Sequence, residues 1–561
     1  MNGLFAAFTL DKEFLPSEEI TTAFDSLSVF GRSHRQLEVS ERWAMGCQAS
    51  HTLESDNHCL PLHLSHEGSD SWFIFDGRLD NKAELAALLG ADMNQSDAEI
   101  CLAYLQANEF TDLSAIVGPY VFVYLDLNAQ RLVAGRDPMG GRALLHTFIG
   151  STLVIASDEL AFLAFTQFDA SYNQEKIARS LAHGMESRPS SFFSSLNWLN
   201  PGERLSYDVD GISFERYYRP PEMPDVRTSG LAENAIRFRT LLDQAVLRRL
   251  RTSSASNKVG ILLSGGLDST PVASSAATQS NNVTEVAGFS WAFPETAESD
   301  ETDLSRPLCQ QLGIHQYLID CEALSLGTDS DYLQHDPRTP FLLPYAIYQA
   351  ATFEKAQQEG FSVLLGGMYG DLLYAGADNI LISSLRNRGL KFGLAQFAAL
   401  IKAQGSLWKA LKRYVFLQVP WVKSWVRGRT HKPPGEHPIL VDGLLPGLVR
   451  ERHWLAGESD LQPRTEQYEN LLGSICGEDA HYGRRLEVSY GIERRNPFRD
   501  RDLCEFMLNV PSEQLYALGI TRPILREAFK DDLPEAILAR VDKTEFMTAL
   551  NRHIADSEAT K

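Results

Sequence analysis

Residues 259–269 read Val-Gly-Ile-Leu-Leu-Ser-Gly-Gly-Leu-Asp-Ser, and no other stretch restricts the fold as strongly. The apolar run Ile261–Leu263 has the composition of a strand buried on both faces, as in a parallel sheet. It stops at a turn, Ser264-Gly265-Gly266, and the residues from Asp268 onward suit a helix. A strand, a glycine turn and a helix start together form an anion site. Backbone N–H groups point outward there and the helix dipole favours negative charge. Glycines let a phosphate approach the backbone closely. Leu263, Ser264, Gly265, Gly266 and Ser269 are therefore candidate polyphosphate contacts. Asp268 adds a carboxylate, which beside polyphosphate makes sense as a Mg2+ ligand. No lysine follows the glycines, so this is not the Gly-x-x-x-x-Gly-Lys-Ser/Thr loop. Ordinary turn chemistry would account for a lone Ser-Gly-Gly; it does not account for all six residues behind an apolar strand.

A chain of 561 residues is too long for one core, so two or more domains are expected. The net charge of −21 argues against a nucleic-acid binder. Seven scattered cysteines without a Cys-x-x-Cys pair suggest reduced thiols in a cytoplasmic protein, not a disulfide frame or a zinc site. The start, Met1-Asn2-Gly3-Leu4-Phe5, lacks the basic and long apolar parts of a signal peptide. No uninterrupted apolar run is long enough to span a bilayer.

From Gly3 to about Tyr218 the chain reads as short strands and turns with two helical pieces. Strands are expected at Trp72–Phe75, Tyr120–Leu125, Leu132–Ala134 and Leu153–Ala156. Asn81 and Ser96 are expected to cap helices. Such a pattern suggests a sheet sandwich with flanking helices. Five pieces occur in a telling order: Phe75-Asp76-Gly77-Arg78-Leu79-Asp80-Asn81, Gly118-Pro119-Tyr120-Val121-Phe122, Gly135-Arg136-Asp137-Pro138-Met139-Gly140, Ala156-Ser157-Asp158-Glu159 and Pro201-Gly202-Glu203. That order resembles the glutamine amidotransferase domain of the asparagine synthetase B family. The Val259–Ser269 loop resembles that of the ATP pyrophosphatase superfamily, which cleaves ATP to AMP and pyrophosphate to adenylate an oxygen. The resemblance implies an Ntn-type sheet sandwich over residues 1–218. It implies a parallel α/β, adenine nucleotide α-hydrolase-like synthetase domain over residues 219–561, with ATP and Mg2+ as cofactors. One departure stands out. Active members free an N-terminal cysteine to release ammonia from glutamine, and here Asn2 occupies that place. An amide is no nucleophile, so the first domain is expected to be a retained scaffold.

In the second half, Ile236–Leu250 has helical spacing and Val286–Trp291 reads as the next parallel strand. The resemblance makes Ser290 a candidate adenine-side contact. Asp300-Glu301 opens a helix, either as dipole complements or as substrate or metal groups. Phe361–Leu365 runs into Gly366-Gly367-Met368-Tyr369-Gly370-Asp371. This resembles the family's second nucleotide segment, making Gly366 and Gly367 ATP contacts and Asp371 the second Mg2+ ligand. Tyr369 either orients an acceptor or packs. Leu372 stands where asparagine synthetases carry glutamate, which counts against a simple aspartate-amidating enzyme.

The segment 379–435 contains no Asp or Glu and eleven Lys or Arg, with Phe392, Phe397, Trp408, Trp421 and Trp425 interleaved. A basic amphipathic helix suits a membrane surface or an acidic peptide. A solvated helix pair against the core is the alternative. Towards the end, Gly491-Ile492-Glu493-Arg494-Arg495-Asn496-Pro497-Phe498-Arg499-Asp500 and Arg540-Val541-Asp542-Lys543-Thr544-Glu545-Phe546 resemble the family's helical end. There the resemblance makes Glu493 a candidate acid/base or substrate-positioning residue and Lys543 the candidate stabiliser of charge in the transition state.

Family members without the glutaminase cysteine include lasso peptide cyclases and β-lactam and carbapenam synthetases. All make an acyl-AMP that an amine of the same molecule attacks. The chain is longer than the small-molecule ring closers need and its basic aromatic segment suits a peptide, which favours a lasso peptide cyclase. That implies a precursor peptide, a leader-peptide-binding protein, a leader peptidase and an exporter as partners. A small-molecule ring closer, an ammonia-using amide synthetase and a degenerate ATP-binding regulator are the rivals.

Overall fold

The computed structural model describes the chain apart from residues 1, 12–13, 32, 51–59, 67–68, 184–189, 253–256, 281–283, 325–337, 340–344, 375–379, 415–464, 473–478, 542–543, 545 and 557–561. The first part contains β1 (Asn2–Phe8), β2 (His34–Val39), β3 (Trp43–Ala49), β4 (Leu62–His66), β5 (Ser69–Gly77), β6 (Tyr120–Asp126), β7 (Arg131–Arg136), β8 (Leu145–Ile149), β9 (Thr152–Ala156), β10 (Asn197–Trp198), β11 (Glu203–Asp208) and β12 (Gly211–Arg216). They form two antiparallel sheets, ordered β10–β8–β9–β1–β3–β2 and β12–β11–β7–β6–β5–β4. Alternation along β1 explains the sandwich. Leu4, Ala6 and Phe8 face the second sheet and share a core with Phe73, Val121 and Leu205. Phe5 and Ala7 face the other way, against Ile20 and Phe24 of the helix Ser17–Asp25.

Ser96 and Glu99 form a reciprocal capping box on the helix Asp97–Ala107. Asn81 precedes the helix Lys82–Leu89 but does not cap it. Its side chain instead accepts from the Val117 N–H at 3.0 Å and donates to the Ala115 carbonyl at 2.9 Å, tying down the neighbouring loop.

The second part is built on five parallel strands: β13 (Lys258–Leu262), β14 (Glu285–Ala292), β15 (His315–Asp320), β16 (Val363–Gly366) and β17 (Glu493–Arg495). Their order is β15–β14–β13–β16–β17. The order reverses between β13 and β16, and in open α/β sheets ligands bind in the crevice beyond such a switch point. Both glycine motifs leave the sheet there. β17 was not legible as a strand, since Glu-Arg-Arg lacks β-branched and aromatic residues. It pairs along the sheet edge, Val363 opposite Glu493; Glu493 is met by Arg78 and Arg142 of the first domain as well as by Arg495, and Arg494 pairs with Glu487.

The basic segment forms a helix, Ile380–Gln404, bent at Gly389 (φ 80°), followed by Leu407–Tyr414. Ile380, Leu381, Leu400 and Ala410 pack against Tyr516, while Leu390, Leu394 and Trp408 are exposed. Residues 415–435, with Trp421 and Trp425, lie outside the described residues. No helix among the described residues is long and apolar enough to cross a membrane.

Candidate active site

At the end of β13 the turn is held by its own serines. The Ser264 N–H donates to Ser269 Oγ at 3.0 Å, and the Gly266 N–H donates to Ser264 Oγ at 3.2 Å. The helix Ser269–Gln279 starts immediately after. Gly265 is used differently from the sequence expectation. Its N–H donates to Glu301 Oε2 at 2.9 Å, and a Cβ there would lie 2.6 Å from Leu304 Cβ. Glycine is needed at 265 for packing, not to offer a donor to phosphate. Glu301 in turn pairs with Arg540 at 2.6 Å. The paired acids thus divide: Asp300 accepts from the N–H groups of Phe293 and Thr302 at a helix start, and Glu301 braces the loop.

The second motif touches the first. A Cβ at Gly367 would lie 2.6 Å from Ser269 N, and one at Gly370 would lie 2.3 Å from Asp268 Oδ1. This contact brings Asp268 and Asp371 to one guanidinium. Arg522 Nη2 lies 2.9 Å from Asp268 Oδ2 and also pairs with Asp371 Oδ1. No local pattern in the sequence marks Arg522 for this position, because its two partners lie far from it in the chain. Two carboxylates converging on one cation are the hard oxygen donors that suit Mg2+. Among the described residues no cluster of three or more His, Cys, Asp or Glu could hold a metal. Mg2+ would therefore complete its shell with phosphate and water, as it usually does.

A cavity of about 1070 Å3 opens over these loops. Leu263, Ser264, Asp268, Ser269, Ser290, Gly366, Gly367, Tyr369 and Asp371 all line it, whereas Gly265 and Gly266 do not. Ser290 is buried and its Oγ accepts from Gln316 Nε2 at 2.9 Å. The opposite wall is aromatic. Trp291 stands 5.3 Å from Phe546 and donates its indole N–H to Thr352 at 2.9 Å. Phe289, Phe353 and Gln349 complete that wall; the strand carrying Phe289 and Trp291 was expected on the adenine side, whereas Gln349, Thr352 and Phe353 were not foreseen, because the helix Ala346–Gln358 follows no recognisable motif. Lys543 lies outside the described residues; Arg540 and Phe546, on either side of it in the chain, both stand at this site.

A second cavity, about 800 Å3, lies between the two domains and shares Tyr369 and Arg494 with the first. Tyr369 is buried with a left-handed backbone (φ 73°), costly for a residue other than glycine. The Arg499 guanidinium stands 5.1 Å from its ring. Glu493 lines only this second cavity. It is bound by Arg495 at 2.5 Å, Arg142 at 3.0 Å and Arg78 at 3.3 Å. Burial would raise its carboxyl, but these guanidiniums, Arg495 foremost, hold it well below the usual carboxylate range. A carboxylate so stabilised binds protons too weakly for general acid/base work near neutrality. The expectation of Glu493 as an acid/base is corrected: it is an ion-pair hub between the domains.

The start of β1 is closed in the same manner. The Asn2 N–H donates to Asp76 Oδ1 at 2.8 Å, and Asp76 Oδ2 pairs with Arg484 at 2.7 Å and Arg142 at 3.4 Å. Arg484 comes from the second domain. Cys47 is fully buried in β3, where burial pushes its thiol up, so it offers no thiolate.

Residues 237–560 match the family model described as asparagine synthase. The chain belongs to the asparagine synthase family. Residues 1–218 match the glutamine amidotransferase domain model, in keeping with the sheet sandwich. Members of the asparagine synthase family are AMP-forming, ATP-dependent carbon–nitrogen ligases, and ATP-dependent amide-bond formation is the chemistry of this chain. Among curated relatives, the amidase chyE of Penicillium rubens is 28% identical over 79% of this chain and 71% of its own. Asparagine synthetase [glutamine-hydrolyzing] 1 of Bacillus subtilis is 23% identical over 89% of this chain and 79% of its own.

Proposed function

We propose that this ligase closes an amide within a single substrate, a lasso peptide precursor. An Asp or Glu side-chain carboxylate attacks the α-phosphorus of ATP and releases pyrophosphate. The peptide's own N-terminal amine then attacks the acyl carbon, AMP leaves, and the amine loses a proton. The observation that carries this reading is Asn2. With no thiol at position 2, and Asp76 engaged by Arg484 and Arg142 beside it, ammonia from glutamine has no source. An amine carried by the substrate meets that lack. A tethered amine also has the proximity advantage of an intramolecular reaction.

In this reading Ser264, Ser269, Gly366 and Gly367 border the phosphates, and the Phe289–Trp291–Phe546 wall takes the base. Asp268 and Asp371 hold Mg2+, which when bound supplies positive charge at the phosphates. Lys543 stabilises charge at the acyl and phosphate oxygens. Tyr369, between the two cavities, orients the acceptor. The precursor peptide, a leader-peptide-binding protein, a leader peptidase and an exporter are the proposed partners. The basic segment, with its exposed Leu390, Leu394 and Trp408, is the proposed peptide surface.

The test incubates the purified chain with ATP, Mg2+ and the leader-free core peptide encoded nearest its gene, following AMP and peptide mass together. AMP release with loss of one water from the peptide, and resistance of the product to carboxypeptidase, is the expected result. The relatives named asparagine synthetase favour a second reading, an ammonia-using amide synthetase. AMP release only on adding an ammonium salt would establish that instead. AMP release only with a small β-amino acid substrate would indicate a small-molecule ring closer.

A further inference from the structure

Arg522 occupies the point at which the two nucleotide loops meet. A single guanidinium nitrogen serves Asp268 at the end of one motif and Asp371 in the other. The arrangement is built rather than incidental. The Arg522 backbone is left-handed (φ 56°), where it starts the helix Pro523–Ala528, and its N–H donates to the Leu515 carbonyl at 2.7 Å. Its guanidinium lies 5.1 Å from the ring of Tyr374, on the same turn as Asp371. The side chain is only 13% exposed, and a guanidinium cannot shed its charge in a protein. A divalent cation ligated by both aspartates would have to take the place this guanidinium fills, because two cations cannot share one carboxylate pair without strong repulsion.

We propose that Arg522 is the resident counter-ion of the metal site and makes metal entry conditional on nucleotide. In the nucleotide-free protein the guanidinium neutralises Asp268 and Asp371 and excludes Mg2+. Bound triphosphate offers the guanidinium another anion within reach, since Asp268 immediately precedes the helix Ser269–Gln279. The aspartates are then released to the metal. Nucleotide and metal therefore bind with positive coupling, and each raises the affinity of the other by the same factor. The inference rests on the ATP site of the family and is independent of which amine accepts the acyl group.

The test measures Mn2+ binding to the full-length, nucleotide-free protein by electron paramagnetic resonance, then repeats it with a non-hydrolysable ATP analogue. Wild-type protein is expected to bind Mn2+ weakly alone and on the order of ten-fold or more tightly with the analogue. Arg522→Gln should bind Mn2+ tightly without nucleotide and lose most of the coupling, whereas Arg522→Lys, which keeps a cation, should restore exclusion. Adding Asp268→Asn to Arg522→Gln should remove the gained Mn2+ binding. Circular dichroism and a melting curve establish that each variant is folded. If Arg522→Gln proves unstable, Arg522→Lys against wild type still reports the coupling factor. Tight Mn2+ binding by nucleotide-free wild type would overturn the proposal. So would a folded Arg522→Gln with unchanged Mn2+ affinity, or no Mn2+ binding by any form even with nucleotide.

Discussion

Replacement of Glu493 separates an interdomain hub from a catalytic base. The Glu493 carboxylate is 5% exposed and takes bonds from Arg495, Arg142 and Arg78, whose side chains are 1%, 10% and 3% exposed. Glu493→Ala leaves three buried guanidiniums facing one another without their common anion. Breaking a buried ion pair by deleting one partner costs about 3–5 kcal/mol. Glu493→Gln keeps one acceptor oxygen but turns an NH2 group towards a guanidinium, so about 3 kcal/mol is expected, near the lower end of that range. Chemical denaturation reads the loss of domain docking. AMP formation, assayed where each variant remains folded, should fall only a few-fold, whereas loss of a general base costs roughly 100-fold or more. The pH dependence follows from the lowered carboxyl. Its stabilising contribution is present above the unfolded value of about 4.3 and is lost as pH falls below it towards the folded value. The stability curves of wild type and Glu493→Gln should therefore converge in acid. A Glu493→Gln protein with wild-type stability and no AMP formation would refute the reasoning.

Three further outcomes are expected. Gly367→Ala places a Cβ 2.6 Å from the Ser269 backbone, so the loops must part and ATP affinity by calorimetry should drop at least about ten-fold, since the clash is with backbone that cannot rotate away; an unchanged Kd would show that the loops need no such approach. Glu301→Ala removes the charge-assisted bond to Gly265 and the Arg540 pair, weakening ATP binding by about 2 kcal/mol, while Glu301→Gln should lose less because it keeps an acceptor for the Gly265 N–H. Asn2→Cys should release no glutamate from glutamine even after Met1 is removed, because Arg484 and Arg142 still hold Asp76; glutaminase activity in that variant would show the pocket to be open.

The two glycine motifs were legible because their chemistry is local. An apolar strand, a turn and a helix start follow each other within about a dozen residues, and the capping box of Ser96 and Glu99 is equally short-range. What escaped reading depended on distant partners. Glu493-Arg494-Arg495 becomes a strand because β16 supplies a ladder and its charges find distant partners, Arg78 and Arg142 in the first domain and Glu487 in the second. Asp300 and Glu301 are neighbours in sequence, yet one holds a helix start and the other reaches Gly265 and Arg540. Asn81 sits at a helix start as expected but spends its side chain on residues 115–117. Arg522 acquires meaning only when two loops, separated from each other by about a hundred residues, meet on its guanidinium.

The salt links that close the start of β1 have a consequence for how such a chain can change over time. Asp76 depends on Arg484, and Glu493 depends on Arg78 and Arg142, so each domain supplies the neutralising charge for the other. Altering residue 2 removes a nucleophile without disturbing any of these links. Excising the first domain would leave Arg484 and Arg494 beside a sheet edge stripped of its covering. The scaffold around residue 2 is thus held by the charges it neutralises, whatever side chain stands at that position.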